Sequence, residues 1–468
     1  MVKYHKERRK NPMKIVPTSR LVFWTGLIFL PFATLTTAIP SVSLLSWSIM
    51  SALFVTVIAD SFLARRNLEG FQVEMPDIVR LSQGREGNIE IRIRNEKTAY
   101  RHLKIAFVFP GEIVSSQNYM AVHLPPEIPL SFFLWPCRGI RQGRYLLDTS
   151  CLEVSSPLGL WDVRTTVPVH TEIRVYPDLM SERQGLASLF LRNHAGIHAR
   201  QRLGKGRDFD QLREYVQGDS FEDIHWKATA KRGRPISRVW QLERTQQIYV
   251  ILDSSRLSAR SAAAHCSGAE VPADSLPDYR MTIMEKYVTS ALVMGLAAQR
   301  QGDQFGIMTF SDRVKHFVRA GNGKAHYQIC RDMLCTLQTE GVTPDFGEVF
   351  TFIGTRIRRR GLLIFLTHLD DPAVAESFIS HIDIIRRQHL VMVNMIRPER
   401  ARPLFTNPGI ASEDDLYAEL GGHMLWHSLH EVEKVLMRRG VGFSLTDCEK
   451  LSADMVSRYI EIKQRQRL

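Results

Sequence analysis

Apolar residues fall along this chain in three rhythms, and each change of rhythm marks a boundary. Two unbroken runs come first, roughly 21–38 and 42–59, with no charged side chain between Arg20 and Asp60. Each is close to the ~20 residues that span a hydrocarbon core. The Ile39-Pro40-Ser41 link leaves room only for the turn of a helical hairpin, and Pro31 is a kink that membrane helices tolerate. From about 70 to 178 the period becomes two. Ile89, Ile91 and Ile93 alternate with Glu90, Arg92 and Arg94, and Leu103, Ile105, Phe107 and Phe109 set a second run. Pro110-Gly111, Pro125-Pro126, Gly139, Gly143 and Pro157 punctuate these runs, which predicts a small antiparallel β-sandwich.

From 248 onward, apolar strands alternate with longer helical stretches. IYVILD, QFGIMTF, GLLIFLT, HLVMVNMI and VGFSLTD read as strands. Met281–Gln301, Lys324–Leu337, Pro372–Gln388, Asp414–Arg439 and the stretch from Glu449 read as helices. That order predicts a doubly wound α/β sheet covered on both faces. The Ala/Ser-rich stretch from Arg256 to Asp278 reads as a mobile loop after its first strand. The chain thus divides into an anchor (1–66), a β-sandwich (70–178), a basic connector (179–247) and an α/β domain (248–468).

The formal charge of +12 invites a nucleic-acid reading, but its placement argues otherwise. Lys3, Lys6, Arg8, Arg9, Lys10, Lys14 and Arg20 precede the first apolar run, and Arg65 and Arg66 follow the second. Basic flanks around a neutral turn put both the N-terminus and everything after residue 60 in the cytoplasm. A cleaved signal peptide accounts for the first run only. The cysteines (Cys137, Cys151, Cys266, Cys330, Cys335, Cys448) include no CxxC pair, so they fit packing thiols in a reducing compartment. Arg356, Arg358, Arg359 and Arg360, and Arg232, Arg234, Arg238 and Arg244, suit a solvated face or anionic lipid better than single-stranded nucleic acid. His423, His427 and His430 share a helix face without the Glu of a zinc-protease motif.

The densest chemistry lies in GRDFDQLREYVQGDSFEDIHW (206–226) and the following KATAKRGRPISRVWQLER, which leads into the strand ending at Asp253. A carboxylate at the C-terminal end of a buried strand is where open α/β sheets place ligand groups. No GxSxG elbow and no phosphate-binding loop occurs, so no catalytic residue is assigned. Arg213 and Asp219 are expected to pair, Tyr215 and Trp226 to fill a groove on the α/β domain, and Gly218 to allow a turn at positive φ. With His225 and Lys227 these residues form a signature surface for internal organisation or partner contact.

This segment resembles the signature of the bacterial domain of unknown function 58 family. The resemblance rests on Gly204, Gly206, Asp208, Phe209, Leu212, Arg213, Tyr215, Gly218, Asp219, Ile224, Trp226, Lys227, Ala228 and Ala230, with Glu222 replacing a usual basic residue. It extends to the two apolar runs, to GRYLLDTSCLEVSSPLGLW and TEIRVYPDL, and to the α/β domain. The resemblance implies a von Willebrand factor A-like fold that often carries a metal-ion-dependent adhesion site, made of a DxSxS loop, a Thr and an Asp around Mg²⁺. Here Asp253 and Ser255 fit the loop, Leu257 stands in the last Ser position, and Thr343 fits the Thr. His368 falls on the Asp position, with Asp370 and Asp371 just after it. The implied metal set is therefore Asp253, Ser255, Thr343 and Asp370, a degenerate site. The resemblance also implies a bacterial inner-membrane adaptor or assembly factor that partners a MoxR-type AAA+ ATPase. The rival readings are a membrane-bound metal-dependent hydrolase using the acids of 206–227, and a structural envelope protein without ligand binding.

Overall fold

The computed structural model describes residues 14–38, 43–66, 71–95, 101–124, 130–180, 182, 185, 208–217, 219–241, 246–262, 281–398, 401–404, 406 and 412–465. The basic run Lys3–Lys10, the 39–42 turn, Gly218 and most of the 256–278 loop lie outside the described residues. The chain divides into two compact units, 1–176 and 177–468.

In the first unit, strand β1 (Lys14–Pro17) leads into two apolar helices, α1 (Ser19–Ala38) and α2 (Ser43–Arg66). Leu44–Ala64 is long and apolar enough to cross a membrane, whereas Ser19–Leu35 is a shorter apolar stretch. Strands β2 (Phe71–Glu74), β3 (Ile78–Ser82), β4 (Glu86–Asn95), β5 (Arg101–Phe107), β6 (Ile113–Val114), β7 (Met120–Leu124), β8 (Leu130–Gly139), β9 (Gly143–Ser155) and β10 (Trp161–Tyr176) follow. They form two sheets, β1-β10-β9-β5-β7 with β3 added beside β10, and β2-β4-β8-β6. The period-two pattern sorts the faces. Ile89, Ile91 and Ile93 of β4 point into a core shared with Leu103, Ile105, Leu152, Val154 and Trp135, while the intervening charges face outward.

The second apolar run ends at Asp60, but the helix does not. Its last two turns pack on the sandwich, where Ala64 joins the core. The carboxylate of Asp60 is fully buried. Its Oδ2 accepts from Ser156 Oγ at 2.5 Å and its Oδ1 from the Leu158 amide at 3.2 Å. Trp161 Nε1 donates to the Val57 carbonyl at 3.0 Å. At the start of α1, Thr18 Oγ1 donates to the carbonyls of Gly159 and Leu160 at 2.8 and 2.9 Å. Both helices are therefore fastened to one turn, the β9–β10 connection, by polar groups that the apolar pattern does not reveal.

The second unit opens with a hairpin of β11 (Asp208–Glu214) and β12 (Ile236–Gln241), which brackets a 3₁₀ turn at Phe221–Asp223 and helix α3 (Trp226–Arg232). The stretch expected to be a connector is thus folded here. A sheet follows, with strands β13 (Gln247–Asp253), β14 (Gln304–Phe310), β15 (Val314–Gly321), β16 (Leu362–Leu366), β17 (Leu390–Ile396) and β18 (Gly442–Thr446). Its order is β15-β14-β13-β16-β17-β18, parallel throughout except for the antiparallel edge β15. Numbered within the sheet, this is the doubly wound order 3-2-1-4-5-6. Helices α4 (Ile283–Gln301), α5 (Lys324–Cys335), α6 (Phe346–Arg356), α7 (Pro372–His381), α8 (Asp383–Arg386), α9 (Glu413–Arg438) and α10 (Leu451–Gln464) complete the unit. Helices α4 and α10 cover one face through Tyr287, Leu292 and Tyr459. On the other face, α6 and α7 pack Phe346, Phe350 and Phe378 against Phe365.

Two elements escape the periodicity. β15 is half-exposed along its length and carries Lys315, His316 and Arg319, as an edge strand does to discourage further pairing. α6 is only 11 residues long and holds two glycines. The single helix expected over Pro372–Gln388 breaks at Ile382 into α7 and α8.

Replacing Asp60 strips the buried Ser156 hydroxyl and the part-buried Leu158 amide of their acceptor. Asp60→Ala should therefore lower the unfolding free energy of the chain in detergent micelles by about 2 kcal/mol. Asp60→Asn, which keeps one acceptor oxygen, should lose less, with Trp161 fluorescence as the reporter. Equal stability of wild type and Asp60→Ala would show that the fastening contributes nothing.

Candidate functional site

β13 lies between β14 and β16, so the chain leaves its two sides in opposite directions and a crevice opens above the strand ends. Asp253 terminates β13 there with no exposed surface. Its Oδ1 accepts from the Ser255 amide at 2.9 Å, and its Oδ2 from Thr367 Oγ1, just past the end of β16, at 2.7 Å. Burial raises the Asp253 pKa, and these hydrogen bonds only partly oppose it. Three loops converge on this point. Ser254 Oγ donates to the Phe310 carbonyl at 2.7 Å. The Glu340 amide donates to the Ser254 carbonyl at 2.8 Å and the Arg256 amide to the Val342 carbonyl at 3.0 Å. That last bond sets the exposed Thr343 beside the Asp253 loop.

Ser255 and Ser258 are both buried; the Ser258 hydroxyl makes no hydrogen bond, while the Ser255 side chain lies against the Asp253 carboxylate and partly opposes the rise that burial causes in its pKa. A buried carboxylate with a hydroxyl beside it is an oxygen-only donor pair, the kind that suits a hard cation such as Mg²⁺. Of the expected metal set, Asp253 and Ser255 adjoin each other here, and Thr343 lies exposed on the neighbouring loop. Asp370 is differently engaged. Its Oδ2 pairs with Arg260 Nη1, while Arg256 Nη2 lies 3.4 Å from Asp371 Oδ2. The other oxygen of Asp370, Oδ1, is buried without a hydrogen-bond partner. Among the described residues, no group of three or more His, Cys, Asp or Glu could hold a metal. Behind the rim, His368 Nδ1 lies 3.0 Å from the Tyr287 hydroxyl, which also donates to the Thr367 carbonyl at 3.2 Å. Burial holds the His368 imidazole down to about 4.

Sequence reasoning missed Arg260 and Tyr287 as parts of this rim. Thr367 follows directly on an apolar strand, which is a usable signal. Arg260 and Tyr287 carry none, because one sits in an Ala/Ser-rich stretch and the other on the buried face of α4.

The signature residues gather elsewhere in the unit, on the β11–β12 hairpin. Arg213 Nη2 pairs with Asp219 Oδ1 at 2.7 Å, as expected, and Asp219 Oδ2 accepts from the Val216 amide at 3.1 Å. His225 caps α3, its Nδ1 accepting from the Ala228 amide at 3.0 Å. Gly233 ends the helix at φ 68°, a left-handed conformation that only glycine adopts without strain. Tyr215 stacks on Phe221 with ring centroids 6.1 Å apart. Trp226 does not fill a groove: it is 68% exposed, Phe221 is 75% exposed, and Lys227 is exposed beside them. The braced hairpin holds aromatic rings out to solvent.

The remaining candidates have structural explanations. His423 and His430 stack on opposite sides of Trp426, with centroids 5.7 and 5.4 Å away, and His430 Nδ1 lies 2.9 Å from Glu433. Arg356, Arg358, Arg359 and Arg360 are exposed ahead of β16, at the opposite end of the sheet from Asp253.

Residues 211–404 match the model of the family described as protein of unknown function DUF58. No curated protein matches the chain. Among solved structures, proximal thread matrix protein 1 from the mussel byssus is similar at 13% identity, with a TM-score of 0.24, over 46% of this chain and 45% of its own. The SpRpn10 VWA domain is similar at 9% identity and a TM-score of 0.25, over 45% of this chain and 94% of that domain. A protein of unknown function from Porphyromonas gingivalis W83 is similar at 15% identity and a TM-score of 0.17, over 23% and 49% of the two chains. The chain thus spans about half the length of the first and third of these. At TM-scores this low, the fold assignment rests on the strand order itself.

The buried His368 makes stability depend on pH in a defined direction. With the folded-state pKa near 4 and the ordinary value at 6.5, protonation favours the unfolded chain. The contribution is full above about pH 6.5 and is lost as pH falls toward 4. Denaturant unfolding of the wild type should lose about 3 kcal/mol more over that window than His368→Asn. Parallel pH profiles for the two proteins would refute the assignment.

Proposed function

We propose that this chain, which matches the DUF58 family model over residues 211–404, is a non-enzymatic adaptor. In this reading it is anchored in the bacterial inner membrane, faces the cytoplasm, and helps assemble protein partners together with a MoxR-type AAA+ ATPase. The observation that carries the reading is the rim at the sheet's switch point. There the buried Asp253 carboxylate and the buried Ser255 hydroxyl beside it sit where α/β sheets bind ligands. Mg²⁺ held by Asp253, Ser255 and Thr343 would offer a coordination position for a partner's carboxylate. The protein itself contributes the burial and the Asp253–Thr367 hydrogen bond that orients the carboxylate.

A second surface supports the same reading. Exposed aromatic rings on a rigid platform are the side chains that dominate protein interfaces, and Phe221 and Trp226 have that placement. The acids of the segment support docking over catalysis. Asp219 is engaged by Arg213, and Glu214 pairs with Arg234 at 2.5 Å. Leu44–Ala64 supports the anchor, and membrane tethering raises the local concentration of the assembled partners.

The full-length protein, purified from native membranes with and without chelator, tests this. Wild type should retain the AAA+ ATPase with Mg²⁺ present and lose it on chelation. Asp253→Asn and Ser255→Ala should lose it in both conditions while remaining folded. Trp226→Ala should weaken retention roughly tenfold or more. Equal retention with chelator and by the Asp253 variant, or turnover of ester or phosphodiester substrates abolished by Asp219→Ala, would overturn the reading.

A further inference from the structure

The outer face of the sandwich carries a groove of about 870 Å³ that the adaptor reading does not use. Its charged row is set by strand register. Lys14 on β1 lies opposite Arg164 on β10, Arg164 opposite Glu153 on β9, and Glu153 opposite Lys104 on β5. Four side chains thus cross four strands in one line, and three of them are cationic. Both oxygens of Glu153 are already engaged, Oε2 by Arg164 Nε at 2.7 Å and Oε1 by Lys104 Nζ at 2.8 Å. Asp162, further along the same face of β10, accepts from Ser155 Oγ at 2.7 Å. Among the described residues no acid pairs with Lys14. Like charges placed directly opposite across a ladder are destabilising, so Lys14 beside Arg164 is a cost that an anion would remove.

The next row explains the cavity. Ala106, Cys151 and Thr166 lie opposite one another across β5, β9 and β10, and their short side chains leave the floor open. Tyr119, largely exposed, also lines the groove. The cationic row lies near the apolar helices. β1 ends at Pro17 and α1 begins at Ser19, so Lys14 is only ~15 Å of extended chain from the start of α1.

We propose that this groove binds the phosphate of an anionic phospholipid headgroup, with Lys14 and Arg164 as its contacts and Lys104 completing the cationic row. The inference rests on the membrane anchoring proposed above. A lipid fits better than free phosphate because the groove is far larger than one phosphate, its floor is small and weakly polar, and it adjoins the strand that enters α1. Glu153 opposes the ligand and keeps the empty row from excess repulsion.

The test uses the full chain in nanodiscs of phosphatidylcholine alone, or with about a quarter phosphatidylglycerol. Lipids retained after transfer to mild detergent are counted by native mass spectrometry. Wild type should retain phosphatidylglycerol over phosphatidylcholine by about fivefold or more, the scale expected for one basic residue at an anionic surface. Lys14→Ser alone should reduce the preference, and Lys14→Ser with Arg164→Gln should abolish it. Glu153→Gln should increase it, which a purely structural ion pair would not do. No preference in wild type, or a preference unchanged in the double variant, would overturn the proposal. Loss of bound lipid to millimolar inorganic phosphate would overturn the lipid assignment in favour of a free anion. Release of the wild-type chain from membranes by carbonate would instead defeat the anchoring reading, and that result is distinct from an integrated chain without lipid preference.

Discussion

A parallel sheet with helices on both faces leaves polar groups one place to go, the ends of its strands, and Asp253 shows what that constraint produces. Strand β16 is buried throughout and β13 from its second residue on, so a side chain that must meet a ligand beyond their C-terminal ends has to sit at or just past their last residue. Asp253 and Thr367 do so and hold each other. Burial makes the charge on Asp253 costly, and the backbone and hydroxyl hydrogen bonds offset only part of that cost. The buried Ser258 hydroxyl, without a hydrogen-bond partner, is a further cost in the loop that follows.

The same rim carries its own positive charge. Arg260 and Arg256 pair with Asp370 and Asp371 across the mouth of the crevice, and Asp371 also caps α7 through the Ala373 amide. These pairs hold loops in place, while Oδ1 of Asp370 stays buried without a partner. On the β11–β12 hairpin the division is similar. Arg213, Asp219 and His225 are spent on bracing the turn and capping a short helix, which frees Phe221 and Trp226 for contact with something outside.

In the first unit, buried polar groups do what packing alone would not. Apolar helices have no directional preference for a β-sheet surface. Asp60, Trp161 and Thr18 supply one by binding the β9–β10 turn. Both helices are thereby bonded to the sandwich at one turn.

Much of this was legible in the chain itself. Unbroken apolar runs, a period of two and an alternation of strand and helix each have one economical solution, because backbone hydrogen bonds must be satisfied wherever apolar side chains are buried. Those patterns determined the apolar helices, the sandwich faces, the parallel strands and the position of Asp253 at a strand end. The signature also disclosed the Arg213–Asp219 pair, since opposite charges six residues apart around a turn come together. What the patterns left open depends on partners distant in sequence. That Asp60 is bonded to Ser156, that Asp370 is held by Arg260, that Trp226 faces solvent, and that Lys14 stands opposite Arg164 all follow from which segments meet in space. Hydrophobic periodicity specifies which face a residue takes, but only the assembled structure specifies what lies across from it. For charged and aromatic side chains, that neighbour is what decides their role.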